Sequence, residues 1–149
     1  KESFEPVDIS TIASDVASSE GGYEAEIETD LNPNLPPAKG SAIAIKRAIS
    51  NLVVNALRYG NGWVKISTGV TADKQLVWIS VEDNGPGIEH SQIAKLFEPF
   101  TRGDTARGSE GTWLGLAIVK RIISQHSGSV VMRNRSEGGL IAQISFPTK

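Results

Sequence analysis

Residues 111–123 read GTWLGLAIVKRII, in which two glycines surround the start of an apolar run with helical spacing. Backbone at glycine can approach an anion closely, and the first turn of a helix offers unpaired N–H groups together with about half a positive charge. The stretch therefore predicts a phosphate-binding loop that leads into a helix, which begins at Leu114 and is ended by Gly128. Trp113 is unexpected in such a loop, because its large side chain stands where the backbone would meet the anion.

Periodicity and turn residues predict the other elements. Three further helices are expected: one that Asp8 caps and Gly21-Gly22 ends, one over residues 41–59 and a short one over residues 89–97. Five strands are expected at residues 23–29, 63–70, 75–83, 129–136 and 139–147. Residues 32–40 are interpreted as a proline-rich loop and residues 99–111 as a mobile lid.

Composition restricts the function classes. The 149 residues, of which 39% are hydrophobic and 21% charged, are typical of one globular domain. A net charge of −2 gives no reason to expect nucleic acid or an anionic membrane as partner. The absence of cysteine excludes disulfides, thiolate metal sites and a cysteine nucleophile. The sequence contains neither an apolar run of about 18 residues nor a signal peptide, so we expect it to be soluble. It starts on the charged segment KESFEPVDIS, and we therefore expect it to be a piece of a longer chain.

The helix over residues 41–59 carries two asparagines, Asn51 and Asn55, in the stretch NLVVNALRYG. Residues four apart on a helix share one face. An amide oxygen is the kind of hard donor that Mg²⁺ accepts, and Mg²⁺ commonly takes one or two protein ligands in addition to phosphate and water. The alternative is that both amides are solvated or cap neighbouring backbone.

Two further stretches have a chemical interpretation. In VEDNGPGI, Asp83 ends a strand and precedes a tight turn at Gly85 and Gly87, where its carboxylate could accept a hydrogen bond from an exocyclic amine; an ordinary strand-ending turn is the alternative. In LFEPF, Phe97 and Phe100 lie just before the lid, as an aromatic hinge or as two core residues.

These four stretches, in this order, resemble the ATP-binding catalytic domain of sensor histidine kinases, within the superfamily of gyrase, Hsp90 and MutL ATPases. NLVVNA resembles the N box, DNGPGI the first glycine box, FEPF the F box and GTWLGLAIV the second glycine box. The resemblance extends over residues 4–147, and the runs NLVVNALRYGNGWVKIS and FTRGDTARGSEGT resemble specifically the osmosensing EnvZ type. It implies a two-layer α/β sandwich, in which a mixed, mostly antiparallel sheet of about five strands packs on about three helices, and a single domain over residues 1–149.

The resemblance implies roles for individual residues. Asn55 would ligate Mg²⁺, and Asp83 would accept the adenine amino group. Asn51, Asn55 and Arg102 would form the catalytic group. The other expected ATP contacts are Ala56, Leu57, Arg58, Tyr59, Gly85, Gly87, Ile88, Leu96, Phe97, Gly103, Gly111, Thr112, Trp113, Leu114, Gly115 and Leu116. Tyr59 would pack on the base, which Ile88, Leu96 and Phe97 would enclose, whereas Arg58, Arg102, Gly103 and residues 112–116 would lie near the phosphates.

The phosphoryl acceptor is not expected in this chain. Water-splitting members of the superfamily have a glutamate where Asn51 stands, and an amide cannot act as a general base, so ATP should be poised for transfer. The family's acceptor is a histidine of a separate dimerisation domain, in a sequence context that neither His90 nor His126 has. Both are expected to be structural or solvated, and the chain should not phosphorylate itself alone.

The resemblance also implies a cellular context. We expect a monomeric cytoplasmic domain that belongs to a homodimeric parent of the bacterial inner membrane, with a response regulator downstream and no nucleic acid partner. Two alternatives stay open, a nucleotide-sensitive interaction module without activity and a serine kinase of the anti-sigma-factor type. Trp113 is expected to weaken ATP binding and displace the lid, unless its side chain points to solvent.

Overall fold

The computed structural model describes residues 4–20, 26–59, 62–87 and 110–148. The elements in chain order are β1 (Glu5–Val7), α1 (Ile9–Glu20), β2 (Glu26–Asp30), β3 (Ala38–Gly40), α2 (Ala42–Tyr59), β4 (Trp63–Val70), β5 (Leu76–Asp83), α3 (Glu110–Gln125), β6 (Ser129–Asn134) and β7 (Leu140–Pro147). None of the helices in these ranges is long and apolar enough to cross a membrane.

Five strands form the main sheet in the order β2-β4-β5-β7-β6. The edge strand β2 runs parallel to β4, and every other pair in this sheet is antiparallel. Buried and partly exposed residues alternate along β7, and the same alternation begins β4, so one face of the sheet packs on the helices and the other does not. The two-layer α/β sandwich with a mixed, mostly antiparallel sheet is thereby confirmed.

The core lies between this sheet and the three helices. Apolar residues recur at helical spacing along α2, as Ile45, Ile49, Leu52 and Ala56, and all four are buried. Burying a side chain such as isoleucine or leucine stabilises the folded state by about 1.5–3 kcal/mol. The sandwich is therefore stabilised mainly by the apolar faces that the sequence periodicity marks.

A second, two-stranded sheet was not expected from the sequence. β1 pairs antiparallel with β3, so the interpretation of residues 32–40 as a loop is wrong for their last three residues. Each strand has only three residues, which is too short for a period-2 pattern to be visible. The pairing depends instead on burial, because Ala38 and Gly40 are both buried against the rest of the molecule.

Polar side chains cap α1 and α2, of which the cap at Asp8 was expected from the sequence. Asp8 caps α1, accepting the Ser10 N–H at 3.0 Å and the Thr11 hydroxyl at 3.1 Å. Ser41 caps α2, because its Oγ accepts the Ala44 N–H at 3.1 Å. Both helices therefore begin at a side chain that satisfies otherwise unpaired N–H groups.

His126 connects the end of α3 to the beginning of α2. Its side chain is 5% exposed, its Nε2 accepts the Ser41 N–H at 3.1 Å, and its Nδ1 lies 2.8 Å from the Ile122 carbonyl oxygen. Accepting at Nε2 requires the neutral ring with the hydrogen on Nδ1, which donates to Ile122. The ring also stacks on Phe4 at 4.5 Å. His126 is thus structural, as expected from its sequence context, whereas His90 lies outside the described residues.

The C-terminal end of α3 differs from the expectation that Gly128 ends the helix. The residue in the left-handed region is Ser127, at φ 58°. The Ser127 N–H bonds to the Ser124 carbonyl at 3.1 Å and the Gly128 N–H to the Ile123 carbonyl at 2.9 Å, which is a Schellman motif. Gly128 is required for another reason, because a Cβ there would collide with the backbone oxygen of Ser145 in β7.

We predict opposite effects of two substitutions at this helix end. Ser127→Gly should raise the free energy of unfolding by about 1 kcal/mol, because glycine adopts positive φ without the cost that a side chain brings. Gly128→Ala should lower it, because the new methyl group collides with β7. Urea unfolding midpoints of the two variants and the parent measure both effects. A neutral Gly128→Ala together with a destabilised Ser127→Gly would contradict the assignment.

Candidate functional site

Three elements meet at the end of the main sheet where β4 begins and β5 ends. This end of the sheet is called the Asp83 edge below. Val64, at the beginning of β4, pairs with Asp83 at the end of β5, so the C-terminal end of α2, four residues before Trp63, lies near Asp83. Ser41 and His126 join the beginning of α2 to the end of α3. The two helices are therefore antiparallel, and the N-terminal end of α3, about 24 Å away along its axis, also lies at the Asp83 edge.

Asp83 provides a buried carboxylate at this edge. The residue is 6% exposed, and its Oδ1 accepts the Gly85 N–H at 2.9 Å and the Leu140 N–H at 3.3 Å. Burial raises the pKa of the carboxyl, and the two N–H donors and the charge of Arg135 oppose that rise. Among the described residues no hydrogen bond to Oδ2 is present, so this oxygen can accept a bond from a ligand.

The turn after Asp83 packs against the β6–β7 hairpin. Gly87 has φ +79°, and a Cβ on it would lie 2.6 Å from Oδ1 of Asn134. Gly139 has φ +97°, and a Cβ there would collide with the Asp83 carbonyl oxygen. Glycine is therefore required at Gly139 by backbone conformation and by the close approach of the Asp83 backbone, and at Gly87 by backbone conformation. At the predicted turn the chain bends at Gly85 and has positive φ at Gly87, and this segment also packs against a hairpin more than 45 residues later.

Asn51 and Asn55 lie side by side on one flank of α2, and both are half-buried. The opposite flank of the helix is marked by Ser50, whose hydroxyl donates to Glu20 of α1 at 2.9 Å. Since α2 packs between α1 and α3, the asparagine flank is on the side of α3. The shared face expected from their spacing is therefore present. Asn55, one turn before the helix end, is the nearer of the two to the Asp83 edge.

The second glycine box lies inside α3, which begins at Glu110. The expectation that residues 111–113 form a loop, with the helix beginning at Leu114, is wrong, and so is the assignment of Glu110 and Gly111 to the lid. A glycine in the first turn need not interrupt a helix, because it costs only about 1 kcal/mol relative to alanine. The N–H groups that lack an intrahelical partner, and could bind a phosphate, are therefore those of the first turn of α3, which begins at Glu110. Trp113 has helical backbone and bears no left-handed strain.

The remaining expected contacts divide into three groups. Ala56 and Leu116 are 4% and 2% exposed, so their side chains belong to the core rather than to a ligand surface. Leu57 is half-buried and Arg58 is exposed. Nothing is described of the side chains of Tyr59, Gly111, Thr112, Trp113, Leu114 and Gly115, and the expected helix 89–97, residues 99–109 of the expected lid, and Ile88, Leu96, Phe97, Phe100, Arg102 and Gly103 lie outside the described residues.

Sequence reasoning missed the contribution of the β6–β7 hairpin to the site. Leu140 supplies an N–H to the Asp83 carboxylate, Arg135 donates to the Asp83 carbonyl oxygen at 2.8 Å, and Gly139 packs on the same carbonyl. The Gly138-Gly139 pair does signal the hairpin. Its position beside Asp83, however, follows from the pairing of β7 with β5, which no local pattern reveals.

Comparison with known proteins identifies the family. Residues 40–149 match the family described as "Histidine kinase-, DNA gyrase B-, and HSP90-like ATPase". This range is more than half of the chain. The chain belongs to this ATPase family. The resemblance of the sequence to this family is thereby confirmed.

Individual proteins that are similar to this chain include sensor histidine kinases. Sensor histidine kinase CpxA of Escherichia coli is 41% identical over 132 residues, which are 84% of this chain and 28% of CpxA. The histidine kinase domain of the E. coli osmosensor EnvZ is 44% identical, with a TM-score of 0.73 over 98% of this chain and 88% of that one. Full-length ShkA in complex with AMPPNP is 26% identical, with a TM-score of 0.83 over 99% of this chain and 31% of ShkA. The chain thus spans less than a third of CpxA and of ShkA.

The contact between the hairpin and Asp83 yields a prediction with a matched pair of glycines. Both Gly138 and Gly139 have positive φ, but a Cβ on Gly138 would meet nothing within 4 Å. Gly138→Ala should therefore lower the free energy of unfolding by about 1–2 kcal/mol, the cost of backbone strain alone. Gly139→Ala should lower it by about 2–5 kcal/mol, because overpacking against the Asp83 carbonyl is added. Chemical denaturation measures both, and equal losses would contradict the close approach.

Proposed function

We propose that this chain binds ATP together with Mg²⁺ and donates the γ-phosphoryl group to a histidine of a separate dimerisation domain. The observation that carries the proposal is the buried Asp83 carboxylate, which lies at the edge where the asparagine flank of α2 and the N-terminal end of α3 converge. Membership of the ATPase family supports the proposal, as does the AMPPNP complex of its relative ShkA.

Asp83 would select adenine. Its Oδ1 is occupied by the N–H groups of Gly85 and Leu140, so Oδ2 would accept the exocyclic amino group of the base. A charged acceptor that is largely removed from water gives a stronger hydrogen bond than an exposed one. Guanine has a carbonyl oxygen at the corresponding position, which a carboxylate would repel.

The phosphates would lie between α2 and α3. The N-terminal turn of α3 offers N–H groups and the positive end of a helix dipole, which favour an anion. Asn55 would supply an amide oxygen to the metal, and Arg102 and Gly103 would approach the phosphates from the lid. Mg²⁺, when bound, would neutralise phosphate charge, and it fits this donor set because it needs few protein ligands beside phosphate and water.

Asn51, one helical turn before the proposed metal ligand Asn55, favours transfer of the phosphoryl group over hydrolysis of ATP. Asn51 has an amide where a general base would be needed to activate water, whereas phosphoryl transfer depends mainly on positioning and charge neutralisation. The one histidine in the described residues, His126, is 5% exposed with both ring nitrogens engaged, so it is no acceptor. His90 lacks the sequence context of the family's acceptor, so a histidine from another domain would receive the phosphoryl group.

The same relatives support a proposal for the wider context. CpxA is a sensor histidine kinase of which this chain spans 28%. We propose a parent protein in the bacterial inner membrane, in which this chain is a cytoplasmic domain, accompanied by a dimerisation domain and signalling to a response regulator. The parent would be a homodimer and this domain by itself a monomer.

The proposed function is tested by supplying the acceptor. The chain is mixed with the dimerisation domain of its parent, Mg²⁺ and γ-labelled ATP, and transferred label is examined for the acid lability and alkali stability of phosphohistidine. We expect label on that domain and none on the chain alone. Label on a serine of a partner would favour the serine kinase, and binding without transfer would favour an interaction module.

The metal assignment predicts the effect of Asn55→Ala. The substitution removes an amide oxygen from a half-buried position outside the core, so the unfolding midpoint should change little while magnesium-dependent ATP binding is lost. Isothermal titration with a non-hydrolysable ATP analogue, with and without Mg²⁺, measures this. Lys46→Ala, at an exposed position of the same helix, is the control. Parental affinity for Mg-ATP in the Asn55 variant would refute the assignment.

The base contact predicts a loss that depends on the nucleotide. Asp83→Ala should weaken ATP binding by about 1.5–3 kcal/mol, the usual contribution of a hydrogen bond to a charged group. GTP binding should weaken much less. Asp73→Ala, which removes an exposed carboxylate in the β4–β5 turn, serves as the control. Equal losses for ATP and GTP would remove Asp83 from the base pocket.

We expect the side chain of Trp113 to obstruct the proposed phosphate site at the first turn of α3. The resemblance to sensor histidine kinases implies a glycine at this position, and the indole would occupy space beside the first turn of α3. Trp113→Gly should therefore tighten ATP binding by about tenfold or more, as one or two amide-to-phosphate hydrogen bonds become possible. Titration of the two proteins with Mg-AMPPNP measures the difference. Indistinguishable dissociation constants would show that the tryptophan does not hinder the nucleotide.

A further inference from the structure

Arg135, directly after β6, has more polar partners than any other charged side chain beside Asp83 in the described part of the chain. Its Nη1 donates to the Asp83 carbonyl oxygen at 2.8 Å. Its Nε lies 3.5 Å from Glu82 Oε1 and its Nη2 lies 3.7 Å from Glu137 Oε1. The side chain is only 12% exposed. An arginine at a hairpin end is ordinarily solvated. The burial of Arg135 therefore indicates that its partners in the fold hold the guanidinium in place.

The guanidinium of Arg135 also stacks on an aromatic ring, in addition to the contacts that its nitrogen atoms make. The Arg135 Cζ lies 5.0 Å from the ring centroid of Trp63, the first residue of β4. Trp63 is itself fixed, because its Nε1 donates to Glu28 Oε1 of β2 at 3.0 Å. The planar fork of arginine can stack and donate at the same time, which a lysine cannot do. Arg135 therefore joins the hairpin to the ends of β4 and β5.

The contacts of the hairpin with Asp83 act on both of its functional groups. Arg135 holds the main-chain carbonyl, and the Leu140 N–H holds Oδ1 of the side chain. With the backbone and one carboxylate oxygen both fixed, the direction in which Oδ2 points is set by the hairpin rather than by Asp83 alone. The arrangement resembles the outer partners that orient a ligating side chain in metal sites.

We propose that Arg135 is a positioning residue for the nucleotide base: by holding the end of β5, it keeps the Asp83 carboxylate oriented to read the exocyclic amino group of adenine. This inference rests on the proposed function, because it takes Asp83 as the base contact. Arg135 itself touches neither base nor phosphate, and it acts only through Asp83.

The test compares Arg135→Gln and Arg135→Lys with Arg133→Gln, which removes a charge from an exposed position of β6. The first readout needs no nucleotide. The amide resonances of Gly85 and Leu140, whose N–H groups donate to Asp83, are followed by NMR during a pH titration. Arg135→Gln should shift both resonances and move their titration to higher pH, because the positive charge opposes protonation of the carboxylate. Arg133→Gln should change neither.

The second readout is discrimination between ATP and purine riboside triphosphate, which lacks the amino group. Arg135→Gln should weaken ATP by about three- to tenfold, the effect of impairing one hydrogen bond, and leave the purine analogue almost unchanged. Arg135→Lys should recover little of the loss. In an Asp83→Ala background, Arg135→Gln should have no further effect on ATP binding.

The two proposals fail in different ways. If Asp83→Ala leaves discrimination between the two nucleotides intact, Asp83 is not the base contact and the proposed function is wrong at this point; the amide titration then still decides whether Arg135 orients Asp83. If Asp83→Ala removes discrimination but Arg135→Gln does not, the positioning role is refuted. Equal weakening of both nucleotides by Arg135→Gln would also refute it, as a merely structural effect.

Discussion

A carboxylate buried at the end of a central strand is the constraint on which the site depends. Removing Asp83 from water is unfavourable for its charged form, and the structure offsets this with N–H groups from Gly85 and Leu140. One donor comes from the turn after β5 and the other from β7. The register of β7 on β5 is thus tied to the chemistry of the site, because a shift by one residue would remove the Leu140 donor.

A second constraint determines where the phosphate-binding elements lie. The neutral ring of His126 accepts the Ser41 N–H and donates to Ile122, so the end of α3 is attached to the beginning of α2. The asparagine flank of α2 and the first turn of α3 consequently meet at the edge where Asp83 is buried. His126 takes no part in the chemistry of the site. It nevertheless helps to assemble the site, from the opposite end of the sheet.

Much of this arrangement was predictable from the sequence, because the strongest signals were periodic and local. The apolar faces of α1 and α2, the strands β4 to β7 and the turn after Asp83 all follow from side-chain spacing and turn residues. The pairing of β1 with β3 was missed because three residues carry no period. The beginning of α3 was misplaced because Gly111 and the two residues after it were interpreted as a loop, although a helix tolerates glycine in its first turns. Arg135 could not be found from its own surroundings, since its partners in β4, β5 and the hairpin converge only in the fold.

The central claim is that a nucleotide binds at the edge where Asp83, α2 and α3 meet. Titration of the isotope-labelled chain with Mg-AMPPNP, followed through its amide resonances, tests it most directly. We predict saturable shifts at Gly85 and Leu140, which report on the Asp83 carboxylate, and shifts around Asn55 that require Mg²⁺. The amide of Gln75, in the β4–β5 turn at the opposite edge of the sheet, should stay unchanged. Absence of saturation, or shifts confined to residues away from the Asp83 edge, would contradict the account.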